Sequence, residues 1–289
     1  MMTGYLLHGN DKQIIELLAQ IKNWPGGVLK SHNDTSHLIH KLAFLADIGL
    51  DTGVPEIAEA VRKITENLSP EGLFQVQVNI PQHFGGTGQD QWSWMLCDAP
   101  LLLYSLKKLG GVPDKRIKDA VEFLAGLAIE NGWPCSVSPD LGKFRGPGRK
   151  SDPCPYATLL MLKLLSLFDE YKGSSQAHAG AEVLLSLWEQ RKERRPYMFA
   201  MGSGFEKLKA PLIWYDILHV TDVLSRFDWL RNDLRLKQMV GIVKDKADEN
   251  GLFTPESVYK AWAEWDFGQK KKPSSWLTFV ACSMIKRFS

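Results

Sequence analysis

Apolar and polar positions recur with a helical period along most of this chain, and two kinds of helical stretch alternate. One kind is apolar on nearly every side, as in APLLLYSLKKL at 99–109 and ATLLMLKLLSLF at 157–168. A helix without a polar face is buried on most of its surface. Stretches of this kind fall near 33–48, 91–109, 153–169, 211–227 and 274–287. The other kind has one stripe, as in PEIAEAVRKITENL at 55–68, where Ile57, Ala60, Val61, Ile64 and Leu68 share a face. Its members lie near 11–23, 55–68, 114–129, 176–191 and 231–248. Short breaks such as DTGV at 51–54 and GGVP at 110–113 make the successive helices antiparallel neighbours.

A turn punctuates the pattern. It reads Pro25-Gly26-Gly27-Val28, Glu71-Gly72-Leu73-Phe74, Asn131-Gly132-Trp133-Pro134 and Asn250-Gly251-Leu252-Phe253. Glycine supplies the left-handed residue that ends a helix, and the apolar residue after it packs back. A fifth copy near Tyr197-Met198-Phe199 lacks the glycine. The apolar helices are read as an inner ring and the striped ones as an outer ring. The stretch at 11–23 then closes the circle beside the last inner helix. The expectation is an all-α fold: a single α/α-toroid domain over 1–289, with about five helix pairs, or six.

Composition narrows the function classes. Thirty-five basic against 33 acidic residues, a net charge of +2, give no general reason to expect nucleic acid or an anionic membrane as partner. No apolar run is long enough to span a bilayer. The first residues lack the pattern of a signal peptide, so the expected location is cytoplasmic. Four cysteines lie far apart without a CxxC pair and are read as free thiols. Ten tryptophans exceed what core packing ordinarily uses. Oligomeric state is left open.

Gly142-Lys143-Phe144-Arg145-Gly146, followed by Ser151-Asp152-Pro153-Cys154-Pro155-Tyr156-Ala157, resembles the repeat of protein prenyltransferase β-subunits. Together with the repeated Gly-aromatic turn, it makes the chain similar to the terpenoid cyclase and protein prenyltransferase superfamily. That resemblance implies a toroid with a small molecule, apolar or isoprenoid-like, in its central cavity. It also implies zinc on an Asp-x-Cys pair, here Asp152 and Cys154. The family's later zinc-binding His has no clear counterpart, and the cyclases' Asp-x-Asp-Asp motif is absent.

Candidate residues sit where the inner stretches begin. Asp34 and His37, three apart on the first, suit an acid–base or metal pair; the other reading is a helix cap with a packed His. Trp92, Trp94 and Asp98 head the second, with Trp94 and Asp98 on one face. Trp214, Tyr215, Asp216 and His219 lie on the fourth, Tyr215 sharing a face with His219. A buried Asp216–His219 hydrogen bond is the alternative there. Trp262, Trp265 and Asp266 precede the fifth, and Trp276 begins it. These aromatic residues either line a ligand site or pack loops over the ring. Asp152 and Cys154 are zinc ligands or merely a helix start. Arg145, with Lys143, Arg149 and Lys150, offers a phosphate site or a solvated turn. Two further readings stay open: a carbohydrate-processing α/α barrel with paired carboxylates, and a non-catalytic interaction scaffold.

Overall fold

The computed structural model describes residues 11–32, 34–144, 146, 152–196 and 198–288. Among them the chain forms eleven α-helices and a single two-stranded sheet. The apolar stretches become α2 (Leu38–Asp47), α4 (Ala99–Leu109), α6 (Pro155–Leu165), α9 (Ile217–Leu224) and α11 (Ser275–Lys286). The striped ones become α1 (Asp11–Ile21), α3 (Pro55–Thr65), α5 (Asp114–Gly126), α8 (Ser175–Glu189) and α10 (Leu234–Lys244). A single turn, α7 (Asp169–Lys172), lies between α6 and α8. No described helix is long and apolar enough to cross a membrane.

Packing follows the two kinds of pattern. Every residue of α6 from Pro155 to Leu165 is buried, including Lys163. On α3 only Ile57, Ala60, Val61 and Ile64 are buried, with charged residues outward. The apolar helices touch in order, α2 on α4, α4 on α6, α6 on α9 and α9 on α11. Between α11 and α2 the contact is aromatic: Phe44 of α2 lies edge-on to Trp276 of α11, their rings 5.1 Å apart.

One ionic network joins the last turns of all five apolar helices. Asp47 of α2 accepts from Tyr104 Oη of α4 at 2.6 Å and from Lys108 Nζ of α4 at 2.8 Å. Its other oxygen pairs with Lys163 Nζ of α6 at 3.2 Å. Arg226, just past α9, reaches Tyr104 Oη at 3.4 Å and pairs with Asp222 of α9 at 2.6 Å. Arg287, the cap of α11, closes on Asp222 at 2.5 Å. Four cations against two carboxylates suit the place, since helix C-terminal ends carry partial negative charge. These cations hold the buried Asp47 carboxyl well below the usual carboxylate range against a desolvation that pushes it up, and Asp222 is lowered in the same way.

The repeated turn takes the conformation expected of it. Gly26, Gly72, Gly132 and Gly251 all have positive φ, from 72° to 108°. Met198 occupies the glycine position of the fifth copy at φ 66°, and the next residue, Phe199, is buried.

Three expectations need correction. The stretch at 91–109 is not helical throughout: Gln91–Ser93 is a strand, β2, paired antiparallel with β1 (Val76–Val78). Trp92 therefore lies on a strand, and Trp94 precedes α4 instead of sharing a helix face with Asp98. The helix at 211–227 starts only at Ile217, because Asp216 caps it, so Trp214 and Tyr215 lie outside and Tyr215 shares no helical face with His219. The helix at 33–48 starts at Leu38 with His37 as its cap, so Asp34 and His37 precede it, joined by a single turn in which the His37 N–H donates to Asp34 O at 3.1 Å.

Candidate functional site

The segments entering the apolar helices hold most of the candidate side chains. Asp216 and Asp98 stand at matching positions, immediately before α9 and α4. Asp216 Oδ1 accepts the His219 backbone N–H at 3.0 Å, which caps α9. Asp98 turns back and accepts the Met95 N–H at 2.9 Å. In each case the second carboxyl oxygen is buried without a partner. Burial pushes both carboxyls up to about 7. A carboxyl held neutral to that pH is able to donate a proton to a bound substrate.

The imidazoles are neutral for the same reason. His219 Nδ1 bonds the Trp214 carbonyl at 3.0 Å, so the Asp216–His219 link runs through the backbone and not between side chains. Burial lowers His219 to about 3, with Lys163 adding to the shift. His40 is also lowered to about 3 by burial, against a weak opposing pull from the His32 backbone. It faces a cavity of about 10 Å³ beside Asp47, Ile213 and Trp276, room for one water. His37 is tied at both ends, Nε2 donating to Gly27 O at 3.0 Å and Nδ1 accepting from the Ile39 N–H at 3.3 Å. Asp34 bonds the N–H of Ser36 at 3.0 Å; burial raises its pKa, but the Ser36 bonds and the nearby His37 outweigh this and lower it.

Aromatic residues from four separate segments meet around Trp214. His32 stacks on it with centroids 4.9 Å apart and planes 4° off parallel, Tyr156 lies at 4.7 Å and Phe199 at 5.9 Å. Tyr156 is fixed by its hydroxyl, which donates to Ile213 O at 2.9 Å. The loop tryptophans pack elsewhere. Trp262, Trp265 and Trp276 surround Phe44 and are buried, and Trp262 Nε1 donates to Thr35 O at 2.9 Å. Trp94 is buried against Phe123 with its Nε1 on Glu71 at 3.4 Å, and Trp92 is half-buried. Asp266 serves α11, accepting the Ser275 N–H at 2.6 Å.

Phe199 joins this aromatic group to a cleft of about 1180 Å³ over the start of α6 and along α8. Phe144, Leu187 and Phe199 contribute apolar surface to it, Lys143, Arg194 and Arg195 positive charge, and Glu130, Glu182 and Glu193 negative charge. Cys135, Asp152 and Cys154 also line it. Arg145, Arg149 and Lys150 lie outside the described residues.

Cys154 caps α6 with Pro155 after it. The neighbouring Cys135 thiol and the first-turn backbone amides outweigh desolvation and lower the Cys154 thiol. Cys135 is raised by its Cys154 neighbour and by burial. Among the described residues no three His, Cys, Asp or Glu side chains gather around a point where a metal ion would sit. Asp152 and Cys154 are thus not part of a closed zinc-binding set among the described residues.

Sequence reasoning gave Cys135 no place in a site and overlooked Lys163. Lys163 left a signal, a lone cation inside an apolar helix, which burial makes costly unless it is paired. Comparison with protein-family models and with curated proteins gives no match.

Proposed function

We propose that the helix pairs close into an α/α toroid of the terpenoid cyclase and prenyltransferase kind, and that the protein binds an anionic amphiphile with an apolar, isoprenoid-like tail. The circuit of contacts from α2 round to α11, with Phe44 against Trp276, supports the closed ring. So does the meeting of five helix ends in one ionic network. Fold alone does not choose a ligand. The observation that carries the choice is the cleft lining: Phe144, Leu187 and Phe199 offer surface to a hydrocarbon, while Lys143, Arg194 and Arg195, set among Glu130, Asp152, Glu182 and Glu193, offer positive charge to an anionic head. At about 1180 Å³ the cleft is roomy for a small molecule.

Calorimetry with farnesyl diphosphate, farnesol and inorganic diphosphate tests this. The first is expected to bind most tightly, because it alone uses both kinds of surface. The double variant R194Q/R195Q is expected to lose about tenfold in its affinity, roughly 1.4 kcal/mol, and to leave farnesol unaffected. Absence of binding by farnesyl diphosphate, or an unchanged affinity in the variant, overturns the reading.

A further inference from the structure

Two thiols, Cys135 and Cys154, meet in the wall of the large cleft. They come from either side of a β-bridge between Pro134 and Pro153, locked by a Cys154 N–H bond to Trp133 O at 2.7 Å. Both sulfurs belong to half-buried residues and line the cleft. Their surroundings differ. Cys154 is the N-cap residue of an eleven-residue helix. Cys135 sits in the preceding loop, beside Cys154 across the bridge. Partial positive charge at a helix start favours the thiolate. Hence one sulfur of the pair is the nucleophile and the other its proton-bearing neighbour.

We propose that Cys135 and Cys154 form a redox-active dithiol that reduces low-molecular-mass disulfides entering through the cleft. The Cys154 thiolate attacks one sulfur of a disulfide RSSR, breaking its S–S bond. This gives Cys154–S–S–R and one thiolate RS⁻, which takes a proton from solvent. Cys135 then releases its proton to solvent, and its sulfur attacks that of Cys154, expelling the second RS⁻. Two protein thiols are oxidised to one disulfide, and RSSR is reduced to two RSH. The wall carries both signs, Lys143, Arg194 and Arg195 with Glu130, Glu182 and Glu193, which suits a disulfide that bears both carboxylates and ammonium groups. The step uses the same cleft as the amphiphile reading but does not depend on it.

The full-length protein supplies its own control, because Cys282 is exposed. At pH 7 iodoacetamide is expected to modify Cys154 at least tenfold faster than Cys282. Incubation with excess glutathione disulfide, followed by trapping and peptide mapping, is expected to give one intramolecular bond joining Cys135 to Cys154. Cys135→Ser is expected to stop at a stable glutathione adduct on Cys154, and Cys154→Ser to give neither product. Circular dichroism establishes that each variant is folded, and Cys135→Ser keeps the test alive should Cys154→Ser fail to fold. Cys154 reacting no faster than Cys282, a bond through Cys97 instead, or no bond at all would overturn the proposal. Farnesyl diphosphate binding is measured separately, so either idea can fail alone.

Discussion

Lys163 Nζ and Asp47 Oδ2 lie 3.2 Å apart although 116 residues separate them along the chain. Lys163 is almost wholly buried. Its charge is tolerable only because Asp47 and the Tyr104 ring, 4.7 Å below it, replace water. Removing one partner of such a pair strands the other. Asp47→Ala is expected to cost about 3–5 kcal/mol in urea denaturation. Lys163→Met is expected to cost less, because Lys108 still neutralises Asp47. The double variant should lose less than the sum of the two. Additive losses would mean that the two groups do not act on each other.

Asp98 and Asp216 set a pH dependence of known sign. Below about pH 4 their carboxyls are neutral whether the chain is folded or not. Between there and about 7 the unfolded chain gives up these protons while the folded chain holds them, so stability falls as pH rises and then levels off. Asp216→Asn keeps an oxygen that can accept the His219 N–H and removes that residue's share of the slope, leaving the share of Asp98. Denaturation at pH 4.5 and pH 8 is expected to show the variant gaining on the parent by roughly 2–4 kcal/mol over that interval. Parallel behaviour of the two proteins would place Asp216 in contact with water.

Gly180 sits inside α8, where alanine would ordinarily help by about 1 kcal/mol. Packing reverses the sign. A methyl group there would stand 2.8 Å from Trp133 Cζ3 and 3.2 Å from Thr158 Cγ2. Trp133 is fully buried and held by its Nε1 bond to Leu124 O at 2.9 Å, so it has little room to move. Gly180→Ala is expected to lower stability by about 1–2 kcal/mol, measured by the urea midpoint. A gain would show that the indole shifts freely.

Met198 holds a left-handed conformation that glycine takes in the other copies of the turn. Its side chain is 41% exposed, so little apolar burial is lost by removing it. Met198→Gly is expected to stabilise the fold by about 0.5–1 kcal/mol, since relief of the left-handed strain exceeds the added freedom of the unfolded chain. A melting temperature below the parent's would mean that the side chain packs against something worth more than the strain.

Much of the helical arrangement was legible because burial writes itself into period. The stripe of PEIAEAVRKIT and the unbroken apolarity of PYATLLMLKLL name their own surroundings. Helix starts were less legible, since they depend on which polar side chain bonds the first free N–H groups. Asp216 does so and delays its helix, shifting Trp214 and Tyr215 off it. The strand pair carried a readable sign that the helical reading passed over: Phe74-Gln75-Val76-Gln77-Val78-Asn79-Ile80 alternates strictly. The cleft thiols were invisible for another reason. Cys135 and Cys154 are joined by a long intervening loop, and no local spacing announces that two residues so placed will meet.

The charged knot beneath the apolar helices has a mechanical side. Each strut entering it leaves an unmatched ion behind if it pulls away, so that pole of the molecule resists partial opening and gives way only as a whole. The cleft lies at the other end of α6, over its first turn, so a substitution in its lining leaves that anchorage intact.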